Sequence, residues 1–149
     1  MNLLPRRCTL AIAAVVDVAM HARPSPVAAK ALAARHKLPP RHLESLLQSL
    51  VHANILKGVR GPRGGYELAR ERRRITAGEI VRAALVDPDE DSQAQDESRL
   101  AKSIIFPIAE QASHVLLQHL DQVCIEDLCQ QAARQGVFSS EATIADFTI

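Results

Sequence analysis

The sequence predicts a mainly α-helical protein with one short β-hairpin and a long helix toward its carboxyl end. Three observations lead there. Apolar residues form 47% of the 149 residues while aromatics form 3%, with no Trp. Ala and Leu therefore carry the burial, which favours helix packed on helix. Apolar residues recur at helical spacing through most of the chain. Four of the six glycines lie within "KGVRGPRGGYELA", residues 57–69, between two short apolar runs, which is the pattern of a tight chain reversal. The length suits one compact body with a smaller appended element.

The opening "MNLLPRRCTLAIAAVVDVAM" resembles a signal peptide in outline. Asp17 interrupts its apolar part, however, and the run 10–16 is too short to span a membrane. A cytoplasmic protein with no membrane partner is expected. Ala11, Ala14, Val15, Val18 and Ala22 repeat at helical spacing, which predicts a first helix over 10–22. "RPSP" ends it, and Ser25 followed by Pro26 forms a candidate cap and first turn for a second helix over 28–35. "HKLPP" then forces a turn, because each Pro disfavours helix in the residue before it.

A third helix is predicted from Pro40 or Arg41 to His52. Leu43, Leu46, Leu47 and Leu50 define its buried stripe, leaving Arg41, His42, Glu44, Ser45, Gln48, Ser49 and His52 largely outside it. Asn54 suits the left-handed stop. "ILKGV" and "YELA" read as two strands, and Thr76 with Glu79 forms a capping box for a fourth helix over 77–86. The acidic stretch 87–98 reads as a linker. Beyond it, Leu100, Ile104, Ile105, Ile108, Ala112, Val115, Leu116 and Leu120 make a long amphipathic pattern, which Pro107 either kinks or breaks. A short helix over 125–134 and an irregular tail, 135–149, complete the chain.

Helix, helix, turn, helix and hairpin form the winged helix-turn-helix plan. Charge agrees with that plan. Residues 1–84 hold 15 Lys/Arg against 5 Asp/Glu, and residues 85–149 hold 3 against 12. A net charge of +1 thus conceals a basic body suited to a polyanion and an acidic remainder. Seven Lys/Arg against two Glu lie between Lys57 and Arg74, which favours DNA contact over an ordinary hairpin. Arg70 and the run 72–74 read mainly as a solvated charge run, with one or two phosphate contacts. No Ser/His/Asp set, paired carboxylates or phosphate loop stands out, so an enzyme is not expected.

"LESLLQSLVHANILKGVRGPRGGYELA" resembles the signature of the Rrf2 family of bacterial transcription regulators. The Leu-Glu-x-Leu-Leu of the recognition helix is present at 43–47, and the Val-Arg-Gly-Pro-x-Gly-Gly-Tyr wing at 59–66. "ITAGEIVRA" at 75–83 and "IEDL" at 125–128 resemble later family segments, so the likeness runs over roughly residues 3–133. It implies a repressor that binds double-stranded DNA as a homodimer, with two recognition helices on a pseudo-palindrome. The DNA-binding unit would be 1–86, the linker 87–98, and the dimerisation arm 99–134. By family position, Arg41, His42 and Ser45 would face base edges. Lys57, Arg60, Arg63, Gly64 and Gly65 would belong to a wing that reaches a groove or phosphates. Arg6 and Arg7 would meet the backbone. Ile104, Ile105, Ile108, Val115 and Leu116 would form the dimer interface.

Three departures stand out. The family's cluster-binding sensors carry three close cysteines between the fourth helix and the dimerisation helix, but residues 85–103 contain none. An iron–sulfur cofactor of that type, or any other metal site, is therefore not expected. Lys37, Leu38 and Pro39 replace the usual polar turn before the recognition helix, and Cys124 replaces the Thr that often opens the last helix. Cys124 and Cys129 lie about 140° apart on a helix, and with Cys8 they read as small core residues. His114 and His119 read as surface or interface positions. Two other readings stay open: a winged-helix protein that binds another protein, and a regulator that responds to oxidation of Cys8, Cys124 or Cys129.

Overall fold

A computed structural model describes residues 1–86 and 98–138. Helix α1, Arg6–His21, is the central element. It begins earlier than the apolar spacing implies because Pro5 presets the entry and Pro5 O accepts from Cys8 N at 2.9 Å. Cys8, Ala11, Ala14, Val15, Val18 and Ala19 are buried along it, and α3, α4, α6 and the second strand all pack against it.

The second helix, α2, spans Ala29–His36 and has no side-chain cap. The Ser25 cap expected from sequence does not form. Val27 instead pairs with Tyr66 by two backbone bonds of 2.9 and 2.8 Å, which keeps the chain extended until Ala28. Lys37 then turns left-handed at φ 53°, and Pro39 leads into α3, Pro40–His52. Leu43, Leu46, Leu47 and Leu50 are its buried residues, each contributing about 1.5–3 kcal/mol by leaving water. Asn54, at φ 58°, stops the helix region as its residue type suggests.

Strands β1, Leu56–Val59, and β2, Gly65–Leu68, pair antiparallel with Leu56 opposite Leu68 and Val59 opposite Gly65. A 3₁₀ turn, Arg72–Arg74, precedes α4, Ala77–Leu85, whose Thr76–Glu79 capping box is formed on both sides. A π-helical turn, Ala101–Ile105, runs into α5, Phe106–Leu120. Pro107 explains that turn: it has no N–H and its ring crowds the carbonyl of Ser103. The strain falls one step earlier, where Phe106 N bonds to Ala101 O.

After α5 the chain folds back. Residues 123–125 lie beside 75–77, with Ala77 N donating to Val123 O at 2.8 Å and Ile125 N to Ile75 O at 2.9 Å. Helix α6, Ile125–Arg134, then adds Ile125 and Cys129 to the core around α1. Cys8 and Cys129 are buried as expected, whereas Cys124 is only half-buried because it caps α6. Residues 87–97 and 139–149, which hold most of the expected linker and tail, lie outside the described residues.

One contact fixes α5 against α4. Arg82 forks onto Asp121 with bonds of 2.6 and 2.8 Å. A Cβ on Gly78 would stand 1.9 Å from Asp121 Oδ1 and 3.0 Å from its backbone N, so only Gly allows this approach. Gly78→Ala is therefore expected to destabilise the protein by roughly 1–3 kcal/mol. The Arg82 hydrogen bond holds the Asp121 carboxyl below its ordinary range. A carboxylate with a depressed folded pKa adds stability above its unfolded pKa of about 3.9, and that increment disappears as pH falls through the folded pKa. Denaturant titrations should separate wild type from Asp121→Asn at neutral pH and converge well into acid. Curves equally spaced at every pH would remove Asp121 from this account.

Candidate nucleic-acid interface

The outward face of α3 carries Arg41, His42, Glu44, Ser45 and Gln48, all exposed. The leucine stripe on the opposite side decides this orientation, since α3 cannot bury it without presenting these groups to solvent. Arg6 is exposed at the start of α1. Arg60 and Arg63 are exposed at the hairpin tip, and neither forms an ion pair with a described residue. Lys57 lies on β1 and pairs with Glu67 at 2.8 Å. Arginine forks at a tip and polar side chains on a helix suit phosphate and base edges respectively.

Gly64 and Gly65 are required by the wing's own closure. A Cβ on Gly64 would stand 2.2 Å from Val59 O, and one on Gly65 would stand 2.3 Å from Val27 O. These two glycines admit neighbouring backbone, so their presence is explained before any DNA is considered. Tyr66, beside them, is half-buried. Burial first, and then the nearby Glu44 charge, raises its pKa.

The basic run after the wing divides in a way that charge counting missed. Arg70 donates to Asn54 O and Arg74 O at 3.1 Å each and pairs with Glu79 at 3.2 Å. Arg72 donates to Ala19 O and lies 3.9 Å from Glu126. Both are clamps between elements, neither solvated charges nor free phosphate anchors. Arg73 and Arg74 are exposed. Arg7 is likewise engaged within the protein: its Nε donates to Ala84 O at 2.8 Å.

The structure also contains a cluster that sequence reasoning missed. Asp17 is 0% exposed. Arg35 reaches its two oxygens with bonds of 2.6, 2.9 and 3.1 Å. His36 Nε2 lies 2.9 Å from Oδ2 and His21 Nδ1 lies 3.0 Å from Oδ1. Phe138 meets the His21 ring edge-on at 4.8 Å. A buried carboxylate needs such partners, and these come from α1 and from the last two residues of α2. The traces in the sequence were an Asp inside an apolar helix and His21 four residues on, while the other two partners lie 18 and 19 residues away.

Burial pushes the thiols of Cys8 and Cys129 up. Cys124 donates both its backbone N–H and its thiol to Asp127 Oδ2, at 3.2 and 3.1 Å. Those bonds hold the Asp127 carboxyl below its ordinary range. Among the described residues no three His, Cys, Asp or Glu side chains gather as a metal site, and no helix is long and apolar enough to cross a membrane.

A leucine-anchored helix beside an arginine-tipped hairpin forms a winged helix-turn-helix, the architecture of DNA-binding transcription regulators. Comparison with known proteins makes the class specific. The chain belongs to the Rrf2 family, described as iron-dependent transcriptional regulators, which it matches over residues 4–131. It is 29% identical to the protein rrf2 of Nitratidesulfovibrio vulgaris, over 80% of this chain and 81% of that one. Among solved structures, IscR of T. potens superposes with a TM-score of 0.66 at 29% identity, covering 88% of each chain. CymR, the global cysteine regulator of B. subtilis, superposes at 0.64 with 27% identity over 88% of this chain and 98% of that one.

Removing Asp17 should be costly, because it takes a buried carboxylate from the centre of the Arg35, His36 and His21 hydrogen bonds and leaves a hole in its place. Asp17→Ala is expected to destabilise the fold by about 3–5 kcal/mol, the range for breaking a buried ion pair. Urea denaturation would measure it. A loss under about 1 kcal/mol, typical of surface pairs, would show that the cluster is incidental.

Proposed function

We propose that the protein is a homodimeric repressor that reads a pseudo-palindromic operator. The observation that carries the dimer is the uncovered face of α5 and the turn before it. Leu100, Ile104, Ile105, Phe106, Ile108 and Val115 are 64, 52, 51, 42, 62 and 60% exposed, and α5 has no buried residue. Leu117 and Leu120 face the protein's own core, so the helix carries a second apolar stripe that no other described residue covers. An apolar stripe of this size marks an association surface, and a second copy with the same stripe satisfies it by two-fold symmetry. Leu116 is half-buried beside it and belongs to the same interface.

In this reading Arg41, His42 and Ser45 face base edges. Arg60, Arg63 and Lys57 hold the groove or phosphates on the wing built by Gly64 and Gly65, and Arg6 meets the backbone. Residues 1–86 form the DNA-binding unit, 87–98 the acidic linker and 99–134 the dimerisation arm. A regulator of this kind works in the cytoplasm, where bacterial DNA is. Its signal is not a cluster held by three neighbouring cysteines. Residues 85–103, where such ligands would stand, contain no Cys.

Two measurements test the proposal. Ile104→Glu with Ile108→Glu should turn a dimer into a monomer by sedimentation at micromolar concentration, while the single-protomer fold persists by circular dichroism. A wild-type monomer under those conditions would end the dimer reading. Selection from random DNA should recover a pseudo-palindrome, and Arg60→Ala should then cost about 1–3 kcal/mol at one base position if Arg60 reads a base. A loss uniform across sequences would assign Arg60 to phosphate. Recovery of no enriched sequence at moderate salt would sink operator recognition and favour a protein-binding role.

A further inference from the structure

We propose that Arg7 is a positioning residue for base reading, not a phosphate contact. The proposal rests on the placement of Ser45 at base edges argued above. Arg7 joins three elements through one planar group. Its Nε donates to Ala84 O at 2.8 Å, and its Nη2 lies 3.3 Å from Ser49 Oγ and 3.4 Å from Ser45 Oγ. Ala84 is next to last in α4, so its carbonyl has no partner within the helix. The guanidinium supplies that partner and sets positive charge against the negative end of the helix.

Ser45 and Ser49 stand one turn apart on the flank of α3 that meets α1. Ser49 Oγ donates to Ser45 O at 3.2 Å, which commits its only hydrogen and leaves its lone pairs to accept from Arg7. Ser45 also accepts from Arg7, so its own O–H points away from the guanidinium. That leaves Ser45 set as a donor toward a base acceptor: purine N7, guanine O6 or thymine O4. Cytosine, whose major-groove edge carries only an amino donor, offers it no such acceptor. The same side chain ties the end of α4, two residues before the acidic segment, to the rotation of α3. A displacement of that end is therefore passed to Ser45 and Ser49 by Arg7, beside the direct packing of α3 on α4.

Lys keeps the charge but loses the fork, so Arg7→Lys separates the two roles. Binding of wild type, Arg7→Lys, Arg7→Ala, Ser45→Ala and Arg7→Ala with Ser45→Ala would be measured on the selected operator. Every single-base change at each position, over a range of salt, would be included. Both Arg7 variants should flatten preference at the position that Ser45→Ala flattens, by about fivefold, the worth of one net hydrogen bond. The double variant should lose no more, and the slope of log affinity against log salt should stay at the wild-type value. A slope reduced by about 0.9 in Arg7→Ala, restored in Arg7→Lys, with loss uniform over all sequences, would overturn the proposal. If Ser45→Ala leaves every preference unchanged, the placement of Ser45 fails and the proposal with it. If Ser45→Ala acts but the Arg7 variants do not, only the positioning role fails. Should Arg7→Ala not fold, Arg7→Lys with its thermal melt carries the same decision.

Discussion

The buried carboxylate of Asp17 is the constraint on which the DNA-facing geometry depends. With no exposure, it is stable only while Arg35 and the two histidines surround it. Arg35 and His36 end α2, and the next residues are the left-handed Lys37, Leu38 and the extended Pro39. Leu38 N also closes onto Ala33 O at 3.0 Å. The end of α2 is thus pinned to the middle of α1, and the turn that aims α3 starts from a fixed point. Two prolines then limit how that turn can bend, in place of a polar cap.

The arginines divide between two kinds of work. Arg7, Arg35, Arg70, Arg72 and Arg82 bond to carbonyls, hydroxyls or carboxylates of other elements. Arg6, Arg41, Arg60 and Arg63 point outward. The basic surplus of the first 84 residues therefore overstates the charge offered to a polyanion. Five of its fifteen Lys/Arg hold the module together, while Arg41, Arg60 and Arg63 stand on α3 and the wing. The glycines follow the same logic, because Gly64, Gly65 and Gly78 admit backbone or a carboxylate from neighbouring segments.

Much of this was legible in the sequence. The leucine stripe of α3, the Thr76–Glu79 box, Asn54 and the hairpin are local patterns, and each appears where its residues placed it. What failed was also local reasoning, applied where a distant segment intervened. Ser25 does not cap α2 because Tyr66, about forty positions later, claims Val27. Cys124 is not core because Asp127 draws it into a cap. Arg70 and Arg72 look like a solvated run until Glu79 and Ala19 O are brought beside them.

The sequence by itself determined the class of protein. Helical period, the Thr76–Glu79 cap and the Gly- and Arg-rich turn depend on residues within a few positions of one another, and they hold wherever no distant segment competes for the same backbone, as Tyr66 does at Val27. Only the tertiary structure decided which charges are available. An arginine's role is set by the acceptor that folding brings within 3 Å, and for Asp17, Ala84 and Asp121 that acceptor comes from 18, 77 or 39 residues away. No period or spacing encodes such a meeting, because it results from the packing of every helix between the two groups.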